Sequence, residues 1–245
     1  MPCHILSIRV DVLPIKEILH TILHFLETSD HPRQIITANS IMVSYVPANK
    51  RLQKAFEHAD LVVADSVGIR WAARTLNQPI PSHIPGIDLL NLCLDAAEQH
   101  GYSVYCLGGK PGIIDEAVKT IARTHPKLKI TGFNHGFFSE SEFEFIRQEI
   151  KTKKPDCVFV GLDTPRQEIW IHEHRNVLNT SVIMGVGGSF DILAGTLHRA
   201  PQIFRILQCE WLFRFLQEPW RIWRLRRLPV FVFLVISETI QKKLK

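Results

Sequence analysis

The sequence predicts an α/β protein: a Rossmann-like parallel sheet with helices on both faces, followed by a short helical C-terminal appendage. Three observations point to it. Short apolar runs bounded by turn residues alternate with longer segments of helical spacing. Glycines or polar residues follow most of the apolar runs. The composition turns basic and aromatic after His198, which puts an α/β core at 1–198 and the appendage at 199–245.

The elements follow in order. Ile15, Ile18, Leu19, Ile22, Leu23 and Leu26 recur at helical spacing across 14–28, and Gln34–Thr37 then reads as a strand running into Asn39. Helical patterning resumes after Ser40. Leu61–Ala64 is a compact apolar strand ending at Asp65, and Ile87–Ala97 is an amphipathic helix. Beyond it come strand Ser103–Leu107, a Gly108-Gly109-Lys110-Pro111-Gly112 turn and helix Ile113–Thr124. Strand Lys129–Thr131, helix Glu140–Lys151, strand Cys157–Val160, helix Pro165–Arg175 and strand Ser181–Met184 complete the series. This alternation of apolar strands and helices predicts parallel pairing with both sheet faces covered.

Composition fits a folded domain. The 245 residues are 46% hydrophobic and 22% charged, which excludes disordered, fibrous and low-complexity classes. Net charge is +5, but the stretch from Arg199 to Lys245 holds ten basic and three acidic residues, leaving −2 for residues 1–198. A cationic footprint confined to one end and interleaved with Trp, Phe and Leu argues against nucleic acid. It suits a membrane surface or a phosphorylated substrate. Cys3, Cys93, Cys106, Cys157 and Cys209 are odd in number and lack a CxxC pair, so neither a disulfide framework nor a zinc ribbon is expected, and a reducing cytoplasm is the simplest compartment. Arg9, Asp11 and Lys16 interrupt any early apolar run, so no export signal is expected. Leu228–Ile236 is nine residues of apolar sequence, about half of the ~20 a spanning helix needs. The protein is expected to touch a membrane without crossing it.

In open α/β sheets ligands bind beyond the carboxyl ends of the strands. The residues there are Thr37 and Asn39, Asp65, Gly108 and Gly109, the Gly161–Gln167 loop, and Gly185–Asp191. Glycines at 108 and 109 would let a backbone approach a diphosphate at a helix N-terminus, and they equally serve a turn that needs φ > 0. The two roles stand level. Gly187 lies in a second glycine-rich exit, in which Asp191 is placed to cap a helix. Asp65 should sit partly desolvated at the sheet edge, able to take a proton from a hydroxyl or to cap a helix. His20/His24 and Glu168/His172 have chelating i,i+4 spacing, but nothing marks a third ligand and the chain has no Asp-x-Asp, so no metal is expected. In the tail, Arg199, Arg205, Arg214, Arg221, Arg224, Arg226 and Arg227 stand among Trp211, Trp220 and Trp223, a mixture suited to phosphate and to an interface.

Several ordered segments resemble the WecG/TagA/CpsF family of bacterial glycosyltransferases. They are Thr37-Ala-Asn39, Ala64-Asp65 with Gly68, Pro85-Gly86-Ile-Asp88-Leu89, Leu107-Gly-Gly-Lys-Pro-Gly112 and His135-Gly-Phe-Phe138. The series continues through Pro155-Asp156, Gly161 to Glu168, Gly187 to Asp191, Ala194-Gly195, Arg199-Ala-Pro201, Glu210-Trp211 with Arg214, and Glu218-Pro219-Trp-Arg221. The match runs from about Val10 to Arg227, and the Pro-x-Gln-Glu, Arg-Ala-Pro and Glu-Trp-x-x-Arg elements are its most distinctive parts.

The resemblance implies inverting, metal-independent transfer of an N-acetylhexosamine-type sugar, ManNAc or ManNAcA-like, from a UDP-sugar. The acceptor would be undecaprenyl-diphosphate-linked GlcNAc, and the product would feed cell-surface polysaccharide or teichoic-acid-type synthesis. It implies an enzyme without a cofactor, peripheral on the inner face of the cell membrane, with homo-oligomerisation left open. Asp65 matches the family's proposed general base. Thr37, Asn39, Gln167 and Asp191 match pocket positions. Arg214, Arg221 and Arg224 lie in the matching appendage, whose arginines would close over the site and face lipid diphosphate. Without a metal, stabilisation of the leaving diphosphate falls to backbone dipoles or arginine.

The family usually has Gly where Asp163 and Ser66 stand, and Arg where His83 stands. A carboxylate at Asp163 should repel a nearby diphosphate, and a neutral His83 removes charge that would counter it. Two alternatives follow: a catalytically degenerate family member acting as a membrane scaffold, and a nucleotide-dependent oxidoreductase, which lacks its usual dinucleotide fingerprint here.

Overall fold

A computed structural model describes residues 2–81, 83–219 and 222–244, apart from the side chain of Ile222. Six parallel strands form the central sheet: β3 (Arg33–Ala38), β4 (Leu61–Ala64), β5 (Ser103–Gly108), β6 (Lys129–Asn134), β7 (Cys157–Gly161) and β8 (Val182–Gly185). Their spatial order is β4-β3-β8-β7-β5-β6. Every expected strand is present, each within a few residues of its expected ends.

The period-2 alternation along these strands divides the core between two faces. Ile35, Val63, Val104, Cys106, Phe159 and Met184 point to one face, where α1 (Ile15–Thr28), α5 (Gly86–His100), α6 (Ile113–Thr124) and α9 (Ser189–Leu193) cover them. Ile36, Val62 and Ala64 point to the other face, under α2 (Ser40–Tyr45), α3 (Lys50–Glu57) and α4 (Val67–Thr75). Further along that face, Tyr105, Leu107, Val158, Val160 and Ile183 lie under α7 (Glu140–Lys153) and α8 (Arg166–His174).

Sequence analysis places no element before residue 14, yet β1 (Cys3–Ile5) and β2 (Ile8–Val10) form an antiparallel hairpin. Its two turn residues, Leu6 and Ser7, both adopt positive φ, 48° and 69°. Such a turn ordinarily takes Asn-Gly or Asp-Gly, so its usual signal is missing. The hairpin is tied to the sheet through Asp11, whose N–H donates to the Val62 carbonyl and whose carboxylate accepts the Val62 N–H.

The tail comprises α10 (Gln202–Ile206), α11 (Glu210–Gln217), α12 (Ile222–Leu225) and α13 (Arg227–Lys243). The last of these belongs to the core in packing terms. Phe231 and Val235 are fully buried against α2 and α4, and Glu238 accepts the Leu6 N–H at 2.9 Å. The first two carry the exposed side chains of Ile203, Ile206, Trp211 and Leu216. No helix among the described residues is long and apolar enough to cross a membrane.

Candidate active site

The carboxyl ends of β4, β3, β8 and β7 bring the expected residues to one edge of the sheet. Asp65 follows β4, and its Oδ1 accepts the Gly86 N–H at 2.5 Å, so the carboxylate holds the first turn of α5 from outside. The N-cap of its own following helix, α4, is Ser66, so Asp65 does not cap α4. Its Oδ2 accepts nothing from the described residues. Although the side chain stays partly accessible, burial pushes its pKa up to about 6. The Gly86 hydrogen bond and the Arg214 guanidinium pull the other way, while Glu210 and Asp88 add to the rise. A carboxylate poised there is basic enough to take a proton and still ionised at neutral pH.

Thr37 stands beside it. Its hydroxyl donates to the Gly185 carbonyl at 3.2 Å. A Cβ added to Gly86 would lie 3.5 Å from Thr37 Oγ1 and 3.6 Å from Asp65 Oδ1, so Gly86 leaves the space between those two side chains open. Asn39 caps α2 through the Met42 N–H. Gln167 is buried, and its Oε1 accepts both the Leu162 and the Gly187 N–H.

The glycine-rich turns spend their donors internally. A Cβ at Gly108, with φ 143°, would fall 2.3 Å from the Gly161 oxygen. The Gly109 N–H donates to that same oxygen, and Asp115 accepts the Gly112 N–H at the start of α6. Glycine at 108 is therefore required by close strand packing. The Gly187 N–H is likewise engaged by Gln167. The tail brings arginine to this edge.

Arg214 on α11 reaches back to the sheet. A Cβ on Gly188 would sit 2.2 Å from Arg214 Nη2 and 3.4 Å from Asp191 Oδ2. The N-cap of α9 is Gly188, so Asp191 is free of the capping role and faces the guanidinium from the first turn. Arg199 bonds Asp88 at 2.5 Å, joining the tail to the same first turn of α5 that Gly86 opens. Arg224 pairs with Asp163 at 2.6 Å. The expected repulsion at Asp163 is thus answered by a tail arginine. His83 lies 3.5 Å from Arg70, and burial together with that cation lowers its pKa, keeping it neutral. Arg221 lies outside the described residues.

Neither i,i+4 pair gathers further ligands, and no group of three His, Cys, Asp or Glu side chains suited to a metal occurs among the described residues. A cavity of about 600 Å³ lined by Arg51, Phe138, Phe143, Arg166 and Trp170 involves none of the expected site residues. Sequence reasoning missed Gly86 as the group that orients Asp65; its place in Pro85-Gly86-Ile-Asp88 gave no sign of a strand-end carboxylate twenty-one residues earlier.

The model of the glycosyl transferase WecG/TagA/CpsF family matches residues 3–245. The chain belongs to that family. The protein is therefore an enzyme of the hexosyltransferase kind, and the oxidoreductase alternative is set aside. Relatives from Staphylococcus aureus strains MW2 and NCTC 8325 are each 37% identical over 199 residues, covering 81% of this chain and 78% of the relative. One from strain MRSA252 is 36% identical over the same length. All three are N-acetylglucosaminyldiphosphoundecaprenol N-acetyl-beta-D-mannosaminyltransferases.

Proposed function

We propose that this glycosyltransferase moves an N-acetylmannosamine-type sugar from a UDP-sugar to undecaprenyl-diphosphate-linked GlcNAc, with inversion, at the inner face of the cell membrane. The names of the S. aureus relatives support the acceptor and the sugar. The observation that carries the chemistry is the Asp65 carboxylate, partly accessible at the sheet edge, raised to about 6 and held through Oδ1 alone.

An acceptor hydroxyl placed at Oδ2 attacks the anomeric carbon of the donor. As the new C–O bond forms, the bond to the diphosphate oxygen breaks and UDP leaves with the electron pair. Asp65 takes the hydroxyl proton. Arg214, close enough to Asp65 to lower its pKa, meets the charge that develops on the leaving group. Arg224, once released from Asp163, and Arg221 add to that charge from the tail.

The exposed Ile206, Trp211 and Leu216, with Arg205 beside them, suit an interfacial helix pair that rests on lipid. The lipid acceptor and the arginines would then arrive at the crevice together. The test is incubation with a short-chain lipid-diphosphate-GlcNAc and a panel of UDP-sugars, followed by mass spectrometry. Mass gain by one N-acetylhexosamine from UDP-ManNAc supports the reading, and no gain from any UDP-sugar overturns it. The scaffold alternative predicts no turnover and indifference to Asp65→Asn.

A further inference from the structure

Beneath the sheet edge α8 buries a carboxyl group that the transfer step does not touch. Glu168 is 2% exposed and Gln34, from β3, is 0% exposed. Glu168 Oε1 accepts from Gln167 Nε2 at 2.7 Å, while its Oε2 has no hydrogen-bond partner among the described residues. Gln34 donates through Nε2 to the Glu168 carbonyl at 3.1 Å, and its own Oε1 is also without a donor. Two buried acceptor oxygens at this spot thus lack a donor. Buried polar atoms are almost always hydrogen-bonded, and a proton on Oε2 makes one of these two a donor.

What Glu168 holds matters for the site. Gln167 Oε1 receives the Leu162 and Gly187 N–H groups, at 3.2 and 2.8 Å, which fixes the amide with its NH2 toward Glu168. That NH2 also lies against Gly185, where a Cβ would fall 2.2 Å from Nε2, and the Gly185 carbonyl accepts the Thr37 hydroxyl. The line from Glu168 through Gln167 therefore reaches the exits of β7 and β8 and ends at Thr37, beside Asp65.

We propose that Glu168 works as a protonated carboxylic acid, a positioning residue that locks the Gln167 amide and through it sets the two strand exits and Thr37 against the reacting sugar. Its effect on turnover rests on the glycosyl-transfer reading; its protonation does not.

Burial also pushes the Glu168 carboxyl up to about 7. Few charges bear on it. Of the elements packed on α8, β7 presents Cys157, β8 presents none, and β3 presents Arg33, paired with Asp60. Helix α3 carries Lys50, Lys54, Glu57 and Arg51, the last paired with Glu173, and Arg175 beyond α8 pairs with Asp60. On α8 itself Arg166 lies over the Phe138 ring, His172, one turn from Glu168 and beside His58, has its pKa lowered by burial, and His174 lies beyond it.

The experiment compares wild type, Glu168→Gln and Glu168→Ala, by thermal unfolding and by the pH profile of kcat/KM. In the unfolded chain Glu168 ionises near 4.5; in the folded chain burial pushes that up to about 7. The stability due to the neutral form is complete below the first value and is lost as pH rises through the second. Glutamine suffers no such loss. The Tm of Glu168→Gln minus that of wild type should grow by about 5 °C between pH 5 and pH 8.5. Wild-type kcat/KM should decline as pH rises through about 7 and Glu168 ionises, whereas Glu168→Gln should stay within about 3-fold of wild type at pH 6.5 and show no such decline. Glu168→Ala should lose ~10-fold or more. A Tm difference independent of pH overturns the protonation, and Glu168→Gln as impaired as Glu168→Ala at pH 6.5 overturns the positioning role. If wild type itself transfers no sugar, the transfer reading fails, and with it the positioning role, while the unfolding series still decides the protonation.

Discussion

The Gly86 N–H grips one oxygen of Asp65 at 2.5 Å and leaves the other without a bond to any described residue. A helix start thereby orients a strand-end carboxylate, and the division of labour between its two oxygens sets the pH behaviour. With its pKa raised to about 6 by burial, Asp65 must lose its proton before it can act as a base, so kcat/KM should climb as pH rises through about 6. The stability sign is opposite. The neutral form stabilises the fold fully below the unfolded value of 3.8, and that contribution is lost as pH passes through about 6. Asp65→Asn should therefore melt higher than wild type at pH 8 and no higher at pH 4. Melting curves at the two pH values check this.

Gly86→Ala separates folding from chemistry. The new methyl meets Thr37 and Asp65 at ordinary van der Waals distance, 3.5 and 3.6 Å, so the protein should fold with its Tm nearly unchanged. The methyl occupies the space between the proposed base and Thr37, and kcat/KM should fall by ~10-fold or more. A fully active Gly86→Ala enzyme would place the reacting hydroxyl elsewhere.

Gly188→Ala addresses Arg214 without altering it. The clash at 2.2 Å is with the far end of a flexible guanidinium side chain, which moves at small cost. The variant should melt like wild type yet lose kcat by about 10²-fold, as Arg214→Ala should, because the cation is displaced from the leaving group. Kinetics of the two single variants and the double variant decide it, and the double should be no worse than either single.

Asp163→Gly should leave stability within about 1 kcal/mol, since the pair with Arg224 is exposed. It frees Arg224, so KM for the lipid-diphosphate acceptor should drop by about 3-fold at low salt, with the difference fading as ionic strength rises. Steady-state kinetics at two salt concentrations would expose an unchanged KM, which contradicts competition between Asp163 and diphosphate.

The tail divides into two functions. Replacing Ile206, Trp211 and Leu216 by Ser should release the protein from anionic vesicles in a sedimentation assay and leave Tm unchanged. Phe231→Ala, in the fully buried face of α13, should instead cost about 3–5 kcal/mol in denaturant unfolding. Cutting the chain after Pro201 removes both together, so loss of activity in that truncation does not isolate the tail arginines.

The strands were legible because each is a short apolar run between turn residues, and the sheet edge followed from their carboxyl ends. The Leu6-Ser7 hairpin was not, because its left-handed turn lacks Asn or Gly and leans on Glu238 from the other end of the chain. The family resemblance singled out Asp65, Thr37, Gln167 and Arg214, and the fold gathers all four at one edge of the sheet. Their connections were not legible: the Gly86–Asp65 bond and the buried Gln34–Glu168 pair join residues far apart in sequence through tertiary packing alone. In the Gly108-Gly109 turn, two readings stood level until the Gly161 carbonyl accounted for Gly109's N–H.

The most direct measurement is single-turnover sugar transfer from UDP-ManNAc to a short-chain lipid-diphosphate-GlcNAc by wild type and Asp65→Asn, with products weighed. Wild type should form the disaccharide lipid, and Asp65→Asn, melting at least as high at pH 8, should form it about 10²–10⁴-fold more slowly. Equal rates for the two proteins would contradict Asp65 as the base.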